Sequence, residues 1–318
     1  MSKVRAAVIG AGVFGRHHLR ILSQSPAAEL AGVVDLDAGR AAAASAEFGC
    51  PAYASIAAVA GQTDAAVVAV PTSAHADAGC ELLEAGIDVL VEKPIAADLA
   101  GARRLISTAA RHGRILQVGH LERFNPAVSA LKKIVRLPLF FEIDRLSLFS
   151  PRSLDVDVVL DLMIHDLDIV LDLVGAMPEE IRAAGISILS DRVDIANVRL
   201  AFPGGCIANL TASRVYTERV RKLRLFQPHQ YISLDYQKQD AVVFTAAANQ
   251  QIGFQPLPVA KEEPLRLEVE SFLEAVGKRT RPVVPGEDGV RALEVALAIL
   301  DKIEVHAKLV AQRIQSLS

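Results

Sequence analysis

From residue 1 to about 120, short apolar runs alternate with longer Ala-rich stretches of helical periodicity. The runs near 4–9, 30–34, 65–70, 87–91 and 114–118 are rich in Val, Ile and Leu. Strands covered on both faces have this pattern, so the segment predicts repeated β-α-β units and a parallel sheet. After Phe124-Asn125-Pro126 the pattern changes, and strand-like runs at 139–147, 181–189, 195–202, 206–212, 221–227 and 230–236 follow one another with few helices between them. That succession predicts an antiparallel sheet. One helix interrupts it, from about Val156 to Val174, and two more, roughly 264–277 and 287–315, close the chain. The expected division is an α/β domain over 1–120 and an α+β domain over 121–318, with the last helix packing back on the first domain.

The turn after the first run adds chemistry to this outline. Ile9-Gly10-Ala11-Gly12-Val13-Phe14-Gly15-Arg16-His17 joins a strand to a helix ending near Leu22. Three glycines there allow backbone N–H groups to approach a pyrophosphate, which the positive end of the helix dipole stabilises. The second run ends in Asp35, 20 residues past Gly15, about where a Rossmann fold places its ribose ligand. Gly10, Gly12, Val13, Phe14, Gly15 and Asp35 are therefore the candidate cofactor residues. A carboxylate at Asp35 repels a 2′-phosphate and favours NAD over NADP, although Arg40 is close enough in sequence to soften the preference. The glycines and the basic Arg16-His17-His18 speak against a secretory signal, and no Gly-Lys-Ser/Thr follows to make a P-loop.

Composition narrows the partners. A chain of 318 residues with 51% apolar content has material for two cores. Its net charge of −3 and scattered basic residues point away from nucleic acid and membrane surfaces and toward small molecules. Cys50, Cys80 and Cys206 form neither a disulfide framework nor metal-type spacing, which fits a reducing cytoplasm; no apolar run approaches the roughly 18 residues that span a bilayer.

Ligands of open parallel sheets bind beyond the carboxyl ends of the strands. One such end is Pro71-Thr72-Ser73-Ala74-His75, which either lines the nicotinamide-ribose side or simply caps a helix through Thr72 or Ser73. Another is Glu92-Lys93-Pro94, where a lysine would face the cofactor cleft and polarise or help deprotonate a substrate hydroxyl. Gly119 and His120 rank lower. In the second half, Asp161 and His165 lie four apart in a helical pattern and so share a face, giving either a general base with its orienting carboxylate or an ion pair or core histidine. A metal set of Asp161, His165 and Asp168 lacks a further clustered ligand, and none is expected.

Taken together, the glycine turn, Val70-Pro71-Thr72, Glu92-Lys93-Pro94 and Asp161-x-x-x-His165-x-x-Asp168 resemble the glucose–fructose oxidoreductase / inositol dehydrogenase / MocA (Gfo/Idh/MocA) family. The resemblance implies an N-terminal Rossmann domain and a C-terminal α+β domain on an open-faced, mostly antiparallel sheet that often forms the interface of a homo-oligomer, dimer or tetramer. It implies NAD(P)-dependent oxidation of a sugar-like hydroxyl, with Lys93, Asp161 and His165 as the catalytic set; members often have glycine near the position of Met163. The segments Val118–Pro126, Ala212-Ser213-Arg214 and Arg221-Lys222-Leu223 further resemble the branch acting on the 3-hydroxyl of UDP-N-acetylglucosamine, whose product passes to an aminotransferase. Arg123, Asn125 and Arg214 are then the substrate candidates, the arginines because a planar guanidinium can fork onto a diphosphate. Pairing of the two arginines with acids such as Glu122 and Glu218 is the competing reading. A dehydrogenase of free sugars or inositol, a catalytically silent dinucleotide-binding regulator and a cofactor-free adaptor are the alternatives.

Overall fold

The computed structural model describes residues 3–149, 156–246 and 251–315. The chain forms two compact units: residues through Leu121 together with Glu263–Val290, and Glu122–Glu262 together with Arg291 onward.

In the first unit the order is β1 (Val4–Ile9), α1 (Val13–Gln24), β2 (Ala28–Val34), α2 (Ala38–Phe48), β3 (Ala52–Tyr53), α3 (Ile56–Val59), β4 (Ala65–Val68), α4 (His75–Glu84), β5 (Asp88–Glu92), α5 (Leu99–His112) and β6 (Leu116–Gly119). The strands pair in parallel in the order β3-β2-β1-β4-β5-β6. Strand order reverses beside β1, which is where a doubly wound sheet opens its ligand crevice. Local signals set the helix limits: Asp37 and Asp98 accept hydrogen bonds from the first turns of α2 and α5, and left-handed Gly49 and Gly113 end them.

The second unit contains α6 (Pro126–Ile134), β7 (Phe140–Leu148), α7 (Ile164–Val174), β8 (Glu180–Ile186), β9 (Ile195–Ala201), β10 (Ile207–Tyr216), β11 (Val220–Gln227), β12 (Gln230–Asp235), β13 (Asp240–Ala246) and β14 (Ile252–Pro256). These strands make an eight-stranded sheet, β14-β13-β12-β11-β7-β10-β9-β8. Its pairings are antiparallel except β7 with β10, which run parallel, so the sheet is mostly antiparallel, as the resemblance implies. One face of the sheet, with Phe141, Ile143, Val198, Leu210, Leu223 and Leu234, joins helix residues such as Leu131, Leu167 and Ile299 in one core. The other carries an aromatic ladder of Phe140, Phe226, Tyr231, Phe244 and Phe254, with centroids 4.9–5.9 Å apart. The short α6 and the two outer strands β13 and β14 extend what the sequence pattern predicts.

Two helices follow, α8 (Pro264–Lys278) and α9 (Gly286–Gln315). The segment that returns to the first unit is Glu263–Val290, so α8 completes its core through Val269, Phe272, Leu273 and Val276. Only the first turn of α9 belongs there; from Arg291 the helix lies in the second unit, where Ala292, Val295 and Ile299 are buried. The return to the first unit is thus made by α8 and the first turn of the last helix rather than by that helix as a whole.

Candidate cofactor and catalytic sites

The glycine turn is built as a cradle. Gly10 has φ +101°, and a Cβ there would stand 2.5 Å from the Ala69 carbonyl oxygen, while a Cβ on Gly15 would overlap the Gly10 carbonyl. The turn is tied to the adjacent strand: Gly10 N–H donates to the Val34 carbonyl and Ala11 N–H to Asp35 Oδ2, both at 2.7 Å. Helix α1 begins at Gly12 with no side-chain cap and no acidic residue in its first turn. Its leading N–H groups and positive dipole end are therefore not taken by the chain's own carboxylates, as an anion site requires. Val13 and Phe14 are exposed at the head of α1. Asp35 Oδ1 accepts from Asp37 N–H at 2.8 Å and from Arg40 Nη2 at 2.9 Å. Partial burial pushes the Asp35 carboxyl up, but Arg40 and the two backbone donors outweigh it and hold it below the usual range. Cradle, open helix end and ionised acid fit a dinucleotide.

At the neighbouring strand ends, Thr72 opens a single 3-10 turn and neither its hydroxyl nor that of Ser73 caps α4, whose N-cap is Ala74. Pro71 is exposed and Thr72 partly so. His75 does not line a cleft: it is buried, with Nδ1 2.9 Å from the Pro94 carbonyl oxygen and Nε2 2.9 Å from that of Val70. It joins the end of β4 to the turn after β5, which corrects the expected cofactor contact. In that turn Glu92 pairs with His18 Nε2 at 2.7 Å, Lys93 is half-buried, and the Lys93–Pro94 bond is cis.

In the second unit, Asp161 lies in a π-helical turn, Val159–Met163, and His165 at the start of α7, both half-buried. Ile164 N–H reaches back five residues to the Val159 carbonyl. The extra residue in this turn alters the simple one-face geometry expected of an α-helix, and such bulges occur often at functional sites. Behind it, α7 is anchored by buried charges. Arg145, fully buried, forks onto Asp166 at 2.7 and 2.8 Å, reaches Glu122 at 3.0 Å and lies 5.0 Å above the Tyr236 ring.

Residues 4–120 match "Oxidoreductase family, NAD-binding Rossmann fold" and residues 145–227 the "GFO/IDH/MocA C-terminal domain". Over 310 residues the chain is 36% identical to UDP-N-acetylglucosamine 3-dehydrogenase of Acidithiobacillus ferrooxidans, covering 96% of this chain and 98% of that one. The chain belongs to the Gfo/Idh/MocA oxidoreductase family. The solved structure of the Acidithiobacillus enzyme superposes with a TM-score of 0.91, covering 96% of this chain and 99% of that one. Inositol 2-dehydrogenase of Rhizobium meliloti is 25% identical, covering 94% of this chain and 97% of that one. Levoglucosan dehydrogenase, at 17% identity and TM-score 0.87, shares the fold across 96% of this chain and 98% of that one.

Within this Gfo/Idh/MocA member, three expected substrate residues have other work. Arg123 is buried, with Nε 2.7 Å from Asp168 and Nη1 2.7 Å from Asp172. Arg214 is buried and bonded to the Val156 and Val193 carbonyls, with Nε 3.4 Å from Asp194. Asn125 caps α6 through Ala127 N–H and donates to Glu122 and the Tyr236 carbonyl. A guanidinium already forked onto carboxylates or carbonyls has few donors left for a diphosphate. The pairing reading holds for both arginines, with partners other than Glu122 and Glu218. Asp168, spent on Arg123, likewise drops out of the metal set. Sequence reading missed His18, Arg145 and Tyr236; His18 alone left a signal, a histidine among the buried Leu19, Ile21 and Leu22 of α1.

Proposed function

We propose that this protein oxidises the 3-hydroxyl of UDP-N-acetylglucosamine to a ketone with NAD. The near-full-length similarity to the Acidithiobacillus 3-dehydrogenase carries this reading, and the glycine cradle with its ionised Asp35 supports the cofactor. A dinucleotide held by Gly10–Gly15 and Asp35 would supply the hydride acceptor. His165 receives the hydroxyl proton, Asp161 orients the imidazole, and Lys93 stabilises the developing alkoxide. The diphosphate falls to Arg221 rather than to Arg123 or Arg214. Its side chain is 31% exposed and stands 3.8 Å from Glu122, its Nε has no hydrogen-bond partner among the described residues, and burial and then Arg145 push its pKa down. Asp35, with no 2′-phosphate to accept, favours NAD over NADP. The 3-keto sugar is suited to an aminotransferase. The aromatic ladder on the sheet's uncovered face supports a homo-oligomer, and three buried free cysteines suit a reducing cytoplasm.

The test is NADH formation from NAD with UDP-N-acetylglucosamine beside glucose, N-acetylglucosamine and inositol, with a trap for the ketone. Turnover with the UDP-sugar alone, lost in Lys93→Met and His165→Asn while NAD still binds, is the expected result. The occupied Arg123 and Arg214 favour a second reading, a dehydrogenase of a free sugar or inositol, which turnover of a free polyol alone would select.

A further inference from the structure

Three side chains close into a polar cluster within the first unit: the buried His18 from α1 and Glu268 from α8, with the partly buried Glu92 at the end of β5. One nitrogen or oxygen from each lies within 4.8 Å of the others, and His18 and Glu268 are fully buried. Gln117, also fully buried, borders the group and donates through Nε2 to the Glu268 backbone carbonyl at 3.3 Å. Among the described residues, neither carboxyl oxygen of Glu268 has a hydrogen-bond partner, nor has Gln117 Oε1 or His18 Nδ1. Acceptors therefore outnumber donors.

A buried carboxylate without donors, beside a second carboxylate, cannot keep its charge. Burial and then Glu92 push the Glu268 carboxyl well up, whereas Glu92, despite a larger opposing push from burial, is held down by His18. Either a proton or a cation could neutralise Glu268. The short His18–Glu92 contact of 2.7 Å decides between them. Ligand atoms about 2 Å from a tetrahedral zinc ion stand about 3.3 Å apart, whereas 2.7 Å is a charge-assisted hydrogen bond.

We propose that His18, Glu92 and a protonated Glu268 form a buried clamp that positions Lys93. His18 fixes the Glu92 carboxylate, and Gly119 backs it so closely that a Cβ there would lie 3.1 Å from Glu92 Oε2. On the far side of Lys93, His75 lies against the Pro94 carbonyl. The lysine therefore leaves the sheet from a backbone held before and after it by histidines. A neutral Glu268 adds no second negative charge beside Glu92, which leaves the His18–Glu92 pair undisturbed. The three are positioning residues, and the inference rests on the reading that Lys93 acts on the substrate.

Infrared difference spectra of the full-length protein without cofactor, wild type against Glu268→Gln at neutral pH, read the proton directly. A protonated-carboxyl stretch present in wild type and lost in the variant is expected. Its absence, or an equimolar divalent metal by elemental analysis, would overturn the clamp. In turnover assays, His18→Leu and Glu268→Leu should lower kcat by about tenfold to a hundredfold with KM for NAD nearly unchanged. His18→Gln and Glu268→Gln, which restore neutral donors, should recover most of it. Wild-type kcat in the folded leucine variants, or no recovery in the conservative ones, would refute the positioning role. If Lys93→Met itself keeps full turnover while the infrared band is present, the catalytic reading of Lys93 fails and the proton assignment stands.

Discussion

Replacing Glu268 by glutamine should change the pH dependence of stability in a way that can be calculated. The carboxyl is fully buried among Glu92, His18 and Gln117 and held far above its ordinary value of 4.5. Unfolded, Glu268 gives up its proton once the pH exceeds that value; folded, it keeps it. The folded chain then binds one more proton than the unfolded chain, so its stability falls as pH rises, by about 1.4 kcal/mol per pH unit. Glutamine is neutral in both states and carries no such slope. Wherever the folded carboxyl keeps its proton and the unfolded one has lost it, the stability of Glu268→Gln relative to wild type should grow by about 1.4 kcal/mol per pH unit, roughly tenfold in the folding equilibrium. Groups common to both proteins cancel in the difference. Urea unfolding of the two proteins at a series of pH values between about 5.5 and 7.5 measures it. Parallel stability curves would mean that Glu268 enters the fold ionised, and the reasoning about the cluster would be wrong.

Removing one partner of the buried Arg123–Asp168–Asp172 group leaves an uncompensated charge, so Arg123→Ala should cost about 3–5 kcal/mol, read as a lower unfolding midpoint. Asp35→Ala should weaken NAD binding by about tenfold or more and narrow its advantage over NADP in calorimetry, since it removes charged hydrogen bonds worth about 1.5–3 kcal/mol; an unchanged preference would move the determinant elsewhere. Arg221→Ala should raise KM for UDP-N-acetylglucosamine while leaving NAD affinity intact. A charge in the middle of the aromatic ladder, Phe244→Asp, should lower the mass seen in light scattering if that face joins copies of the chain.

What the sequence reveals follows from how local each interaction is. Strands β1, β4 and β5 are legible because burial on both faces leaves mostly apolar runs, whereas the two residues of β3 carry no pattern at all. The glycine turn and Asp35 are legible because backbone geometry demands glycine at Gly10 and Gly15, and the acid follows at a fixed interval. The parallel pairing of β7 with β10 is set by partners far apart in the chain, and alternation along either strand cannot name its neighbour. The π-turn escapes because an apolar run around Val159 and Met163 suits either helix. Arg123 and Arg214 were misleading because a guanidinium that grips a phosphate and one that grips a carboxylate are the same side chain. Their partners, such as Asp168 45 residues from Arg123, are fixed only by folding.

The discontinuity of the first unit bears on how the chain is made. A ribosome delivers β1 through β6 long before α8, yet Val8, Leu19 and Leu22 share their core with Val269, Phe272 and Val276. Until α8 emerges, the nascent nucleotide-binding half has an uncovered apolar flank. The whole second sheet must be synthesised during that wait, so neither half can be finished before α8 and α9 are made, and a chain stalled or clipped before Glu263 leaves a sticky, incomplete Rossmann unit for chaperones or proteases.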